Sequence, residues 1–211
     1  MKKKFNKIAI IGNSKKFINI VKKKYIFKKI DIYEWRKINE YAKIRNKTYQ
    51  LIIICGFDFS VFLSNQKTFI NKNIKNPFNL IKKISNKNSN IIYINTKIRN
   101  NKRYTFSRYK YAKQQLAFLI SKNFNKYLII NADLILINNK ISINSGGFSK
   151  LIFKFFVFFD LIETININSI FNKFPKKLKF KNYVKQIKIE GYFLWLPRTQ
   201  FFDRLARLIL G

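Results

Sequence analysis

Leu51-Ile52-Ile53-Ile54-Cys55-Gly56 decides the fold. Four consecutive large apolar residues closed by a glycine are too few for a helix. They also lack the polar alternation of a strand with one wet face. Such a run is a strand buried on both sides, the kind found in parallel sheets covered by helices. Working outward, Lys7-Ile8-Ala9-Ile10-Ile11-Gly12 repeats the pattern near the start of the chain, again ending in glycine. Ile30-Asp31-Ile32-Tyr33-Glu34-Trp35 and Ile91-Ile92-Tyr93-Ile94 read as a second and a fourth strand. Tyr127-Leu128-Ile129-Ile130 and Leu134-Ile135-Leu136-Ile137 supply further strand material.

Between the strands the apolar period changes from two to that of a helix. Phe17, Ile20 and Val21 recur at helical spacing among lysines, up to Lys24-Tyr25. Phe69 to Ile84 does the same, with Pro77 set to interrupt or restart the helix. Tyr109 to Ile120 predicts another helix, reached through a polar stretch from Asn95 to Ser107. Strands separated by helices imply an α/β fold, a Rossmann-like parallel sheet with helices on both faces. It is expected over residues 1–144. Residues 145–211, from Ser145-Gly146-Gly147 onward, read as a reduced, aromatic-rich helical region packed on it.

The chain has 211 residues, with 44 Lys or Arg against 9 Asp or Glu, a formal charge of +35. Hydrophobic residues at 47 % and aromatics at 17 % exclude a disordered polycation. One Cys and no His exclude an internal disulfide, His-dependent triads and His-ligated metal sites. Lys, Asn, Ile, Phe and Tyr are all favoured by AT-rich codons, and the lysines are spread along the whole chain, so coding bias accounts for much of the charge. Non-specific, salt-dependent adhesion to polyanions is still expected. The apolar stretch after Met1 is too short for a signal peptide. The longest apolar run, Leu151 to Ile162, is interrupted by Lys154 and Asp160 and is too short to span a bilayer. A cytoplasmic protein, peripheral to a membrane at most, is expected.

In an open parallel sheet, ligands bind beyond the carboxyl ends of the strands. That places Gly12-Asn13-Ser14, Cys55-Gly56-Phe57-Asp58 and Asn95-Thr96 at the candidate edge, with the helix opening near Tyr109. The order of elements and Ser107-Arg108-Tyr109-Lys110-Tyr111-Ala112-Lys113 together resemble the short-chain dehydrogenase/reductase superfamily, in its NAD-dependent epimerase/dehydratase branch. The resemblance covers about the first 140 residues. It implies an NAD- or NADP-dependent enzyme acting on a nucleotide sugar. Tyr109 would be the acid/base, Lys113 would lower its pKa and hold the nicotinamide ribose, and Thr96 would polarise the reacting oxygen. The spacing has a physical rationale, since positions four apart share a helix face and an ammonium there favours an ionised phenol. Tyr25/Lys29, Tyr33/Lys37 and Tyr93/Lys97 carry the same spacing. What singles out Tyr109 is its place at the head of a helix after the fourth strand.

At the cofactor end the resemblance implies roles for Gly12, Asn13, Ser14, Lys15 and Gly56. Of three spaced glycines only the first is present, and Lys15 and the helix N-terminus are left to attract phosphate. After the second strand, Glu34 would accept from a ribose hydroxyl, or Arg36 would hold an NADP 2′-phosphate, so the sequence does not choose between NAD and NADP. Phe201 to Leu210 is amphipathic, with arginines among large apolar residues. This stretch, 198–210, suits a membrane interface, a cap on the core or a homodimer contact. Two other readings stay open: a basic RNA-binding or ribosome-associated protein, and a catalytically silent Rossmann scaffold.

Overall fold

The computed structural model describes residues 3–12, 15–43, 47–61, 64–96, 108–132, 134–137, 140–141 and 164–166. The main sheet is built from β1 (Lys3–Ile11), β2 (Tyr25–Tyr33), β3 (Leu51–Ile54), β4 (Asn90–Thr96) and β5 (Tyr127–Ala132). Its order is β2-β1-β3-β4-β5, and every pair is parallel. The connections carry α1 (Lys15–Lys24), a run of 3-10 turns (Trp35–Lys43), α2 (Gln66–Ile70), α3 (Asn76–Ile84) and α4 (Arg108–Asn123). This is the doubly wound α/β topology the apolar runs imply. From β1 the chain steps outward to β2, then returns past β1 to β3 and continues the other way. The reversal leaves a crevice at the carboxyl ends of β1 and β3.

Alternation sorts the strand side chains onto two faces. Ile8, Ile10, Leu51, Ile53, Ile92 and Ile94 share a cluster with Phe17, Ile18 and Val21 of α1. Ala9, Ile11, Ile52, Ile54, Ile91 and Tyr93 share the other with Leu80, Ile81 and Ile84 of α3 and Leu116, Ala117 and Ile120 of α4. Burying each branched side chain contributes about 1.5–3 kcal/mol, so the two clusters dominate the fold's stability.

The first two strands are longer than their apolar cores. β1 begins at Lys3 and β2 at Tyr25, directly after α1, where the periodicity placed the end of a helix. Tertiary pairing overrides that reading: Phe5 pairs in register with Phe27, and the Phe5 and Tyr25 rings meet edge to face at 5.4 Å. The Pro77 expectation holds, because α2 ends at Ile70, a π-helical turn spans Asn71–Lys75, and α3 restarts with Pro77 in its first turn. After β2, Trp35–Lys43 coils into 3-10 turns, so among the described residues β2 is the outermost strand on its side. β6 (Leu134–Ile137) leaves the main sheet, pairing antiparallel with β7 (Lys140–Ile141) and parallel with β8 (Thr164–Asn166). The stretches Leu151 to Phe159 and 198–210 lie outside the described residues.

Candidate functional site at the carboxyl edge

Gly12 and Gly56 stand just past the carboxyl ends of two adjacent parallel strands, with Ile11 opposite Ile54 in the register. Gly12 adopts a φ of 134°, a region that disfavours side chains, and its N–H donates to the Tyr33 carbonyl at 2.8 Å. A Cβ there would lie 2.8 Å from Cys55 Sγ and 3.0 Å from Gly56 N. The glycine therefore lets the end of β1 close onto the end of β3. Asn13 and Ser14 lie outside the described residues; Lys15 opens α1, and its side chain is not among those described.

From the other side, α4 delivers Lys113. Its Nζ donates to the Ile94 carbonyl at 2.8 Å and the Gly56 carbonyl at 3.3 Å, and lies 4.9 Å from the centre of the Tyr93 ring. Lys113 is only 5 % exposed, and burial pulls its pKa down from 10.5 to about 8, with Cys55 opposing weakly. The ammonium thus ties the carboxyl end of β3 to that of β4. Tyr109, one turn earlier, has its ring centre 6.0 Å from Lys113 Nζ. It is walled by Phe57, edge-on at 4.8 Å, and by Phe59, stacked at 5.6 Å. That enclosure pushes its phenol up to about 12, opposite to the lowering by Lys113 that the resemblance implied. The physical reason is that the ammonium faces two carbonyls while the phenol is desolvated.

Thr96 is the last residue of β4, opposite Ala132. By alternation it follows Ile92 and Ile94 onto the α1 face, away from α4. The residue that β4 presents to α4 is Asn95, whose amide donates to Gln114 Oε1 at 2.8 Å and Asn131 Oδ1 at 3.0 Å. The structure therefore brings Gly12, Gly56, Lys113 and Tyr109 to one edge and directs Thr96 to the opposite face.

At the end of β2, Glu34 is half-buried and pairs with Lys37 at 3.6 Å. Arg36 reaches across the end of β1 to the buried Asp58, with Nε to Oδ1 at 3.5 Å. Trp35 makes the same crossing. Its indole lies so close to Gly56 that a Cβ there would be 2.2 Å from Cε3. Its Nε1 donates to Asn73 Oδ1 at 3.3 Å, and Asn73 in turn holds both the N–H and the carbonyl of Asp58. Sequence reading singled out Glu34 and Arg36 but passed over Trp35 between them. The signal was present, a large aromatic beside a strand end, yet its target was a glycine twenty-one residues later.

As a cradle for a dinucleotide the edge is half open. Gly12 and the carboxylate of Glu34 stand at the strand ends where the doubly wound fold receives a cofactor's phosphate and ribose, with the Gly12 N–H given to Tyr33 and Glu34 paired with Lys37. The space against Gly56 is taken by Trp35, and Arg36 is engaged with Asp58. A separate groove of about 260 Å³, lined by Ile38, Tyr41, Asn76 and Asn79 among others, lies between the 3-10 turns and α3. Among the described residues no cluster of carboxylates or thiols could hold a metal, and no helix is long and apolar enough to cross a membrane.

No protein-family model matches the sequence, and no curated protein is similar to it. Among solved structures, the chain is similar to an L-threonine dehydrogenase from Phytophthora infestans, at 9 % identity and a TM-score of 0.49 over 80 % of this chain and 71 % of that one. It is similar to a dTDP-4-dehydrorhamnose reductase from Bacillus anthracis in complex with NADP, at 14 % identity and a TM-score of 0.46 over 71 % and 60 %. A short-chain dehydrogenase/reductase superfamily protein from Agrobacterium tumefaciens with bound NAD gives 7 % and 0.45 over 74 % and 60 %. The chain spans 60 % of the length of the last two. The fold assignment rests on the strand order itself.

Proposed function

We propose that the chain is a divergent NAD(P)-dependent oxidoreductase of the short-chain dehydrogenase type, acting on a nucleotide sugar. The observation that carries this reading is the meeting of Tyr109 and Lys113, one helical turn apart, with Gly12 and Gly56 at the crevice where the strand order reverses. A bound nicotinamide would supply or accept a hydride. This chain's own residues do the rest. Gly12 and the start of α1 receive phosphate, and Glu34 takes a ribose hydroxyl. Tyr109 passes a proton to or from the substrate oxygen. Phe59, half exposed and stacked on Tyr109, offers a ring face to the base of the nucleotide sugar.

For that role Lys113 must turn at least one of its N–H groups from a carbonyl toward the phenol and the ribose, and Trp35 must swing off Gly56. A second reading, a Rossmann scaffold without turnover, is favoured by those two contacts as they stand.

Thermal melts in high salt separate the two, because a ligand that binds only the folded state raises the midpoint by mass action. High salt suppresses non-specific nucleotide adhesion to the basic surface. The enzyme reading predicts a midpoint raised by NADH or NADPH beyond an ATP control, and raised further in Trp35→Ala relative to that variant alone. No shift with either cofactor in either protein would leave the scaffold reading standing.

A further inference from the structure

β2 carries β1 on one side, and among the described residues no strand lies on the other. Its nine residues therefore present an outer row of N–H and C=O groups, a template for pairing with another strand. Apolar side chains gather on it as well. Of the three large hydrophobic residues exposed among those described, Ile26 at 46 % and Ile32 at 40 % both belong to β2. Lys28 and Lys29, both exposed, are of the kind that blunts edge strands against pairing. Whether they repel a second strand depends on what each would meet, and the strand's own irregularity decides that.

In a regular strand Phe27 and Ile30 would point to opposite faces. Here both pack with the α1 cluster, as do Phe5 and Ile8, their register partners on β1. The alternation therefore slips by one residue between them. After the slip, Ile32 stands beside Ile10 on the α1 face, while Asp31 and Tyr33 stand beside Ala9 and Ile11 on the other. Before it, Phe27 is on the α1 face and Ile26 on the other. When two copies of one strand pair antiparallel about a two-fold axis, opposed side chains share a face. The register with Ile32 opposite Phe27 meets that condition, because it also sets Ile26 opposite Tyr33. The same register sets Lys28 opposite Asp31, whose Oδ2 accepts from Tyr49 at 2.5 Å and whose Oδ1 is left to face the ammonium. Shifting by one residue sets Phe27 opposite Asp31 or Tyr33, on the wrong face. Shifting by two sets Lys28 opposite Lys29, or Ile30 opposite Asp31.

We propose that β2 pairs antiparallel with β2 of a second copy of this chain, Lys28 opposite Asp31, so that two five-stranded sheets run on as one. Nine residues give roughly 30 Å of edge, and the two-fold axis makes every favourable pair twice. Ile26 and Ile32, exposed in the single chain, are covered by Tyr33 and Phe27 of the second copy. Cross-strand pairs of opposite charge and of aromatic with branched residues are the ones that stabilise a ladder. They act against the repulsion of two chains of formal charge +35, which salt screens. The crevice between β1 and β3 takes no part in this contact, so the pairing does not rest on the oxidoreductase reading.

The test is sedimentation of the full chain at micromolar concentration in high salt, with thermal melts confirming that each variant folds. The parent should sediment as a dimer. Lys28→Glu sets like charges opposite each other at two symmetric places and should weaken the dimer at least about tenfold. Lys67→Glu makes the same change of charge on α2 and should leave it near the parent. Phe27→Cys and Ile32→Cys in one chain should give a disulfide-linked dimer on oxidation. Opposed residues are within disulfide reach, whereas these two positions of a single chain lie about 16 Å apart. Ile26→Cys with Ile32→Cys, opposed only after a one-residue shift, should give none, and neither should the parent, whose thiol is Cys55. A parent that sediments as a monomer, as it would if its own residues covered the edge, overturns the proposal. So would equal weakening by both lysine variants, or cross-linking through positions 26 and 32 in place of 27 and 32.

Discussion

Gly12 carries a backbone conformation and a close approach at once, which makes it the most exacting single position at the edge. Its φ of 134° and the 2.8 Å that a Cβ would have to Cys55 Sγ are independent costs. Gly12→Ala is therefore expected to destabilise the fold by about 2–4 kcal/mol, read as a lowered denaturant midpoint with an unchanged slope. In the proposed oxidoreductase, Tyr109 is the residue on which chemistry depends. Tyr109→Phe keeps the ring between Phe57 and Phe59, so the melt should be nearly unmoved, while oxidoreductase turnover should drop by about a hundred- to ten-thousand-fold. Tyr93→Phe tests the accidental spacing. It removes a hydrogen bond to the Lys113 carbonyl and should lower stability while leaving most turnover.

At the scale of elements, α4 couples the edge to pH through Lys113. Its pKa in the folded chain is about 8 against 10.5 when unfolded, so between these values the unfolded chain binds more protons and stability rises with pH. Cys55 works the other way. Its thiol is pushed from 9.0 to about 12 by burial, so above pH 9 the folded chain binds more protons and stability falls. The melting midpoint should thus climb from pH 8 to 9, by the equivalent of about 1 kcal/mol, and level off or fall beyond. Lys113→Met should abolish the climb; a climb that survives it would assign the dependence to another group.

The same element shows what the sequence disclosed and what it withheld. The helix, its opening near Tyr109 and its delivery to the edge of β4 were legible, because a helical apolar period and a strand-closing glycine are local signals. The orientation of Lys113 toward two carbonyls was not, since Ile94 and Gly56 are nineteen and fifty-seven residues away. The early start of β2 was hidden for a related reason. Lys24-Tyr25 among lysines reads as the end of a helix until Lys3 is there to pair with Tyr25 and Phe5 to meet its ring. Thr96 was chosen by proximity to a strand end, and one residue of alternation sends it to the other face.

At the scale of the whole molecule, the doubly wound order gathers Gly12, Gly56, Asp58 and the Tyr109–Lys113 pair at the carboxyl edge of the sheet, while Asp31 lies in mid-sheet level with Ala9 and is bonded by Tyr49. The central claim is that a nicotinamide dinucleotide lies in the crevice now partly filled by Trp35. Trp35 itself reports on it. In a Trp195→Phe variant, Trp35 is the sole tryptophan, and its emission overlaps the absorption of reduced nicotinamide. Titration with NADH or NADPH in high salt should quench Trp35 saturably and sensitise nicotinamide emission, with ATP unable to reproduce the transfer. An indole emission that NADH and NADPH leave unchanged, or dim only as ATP does, would contradict it.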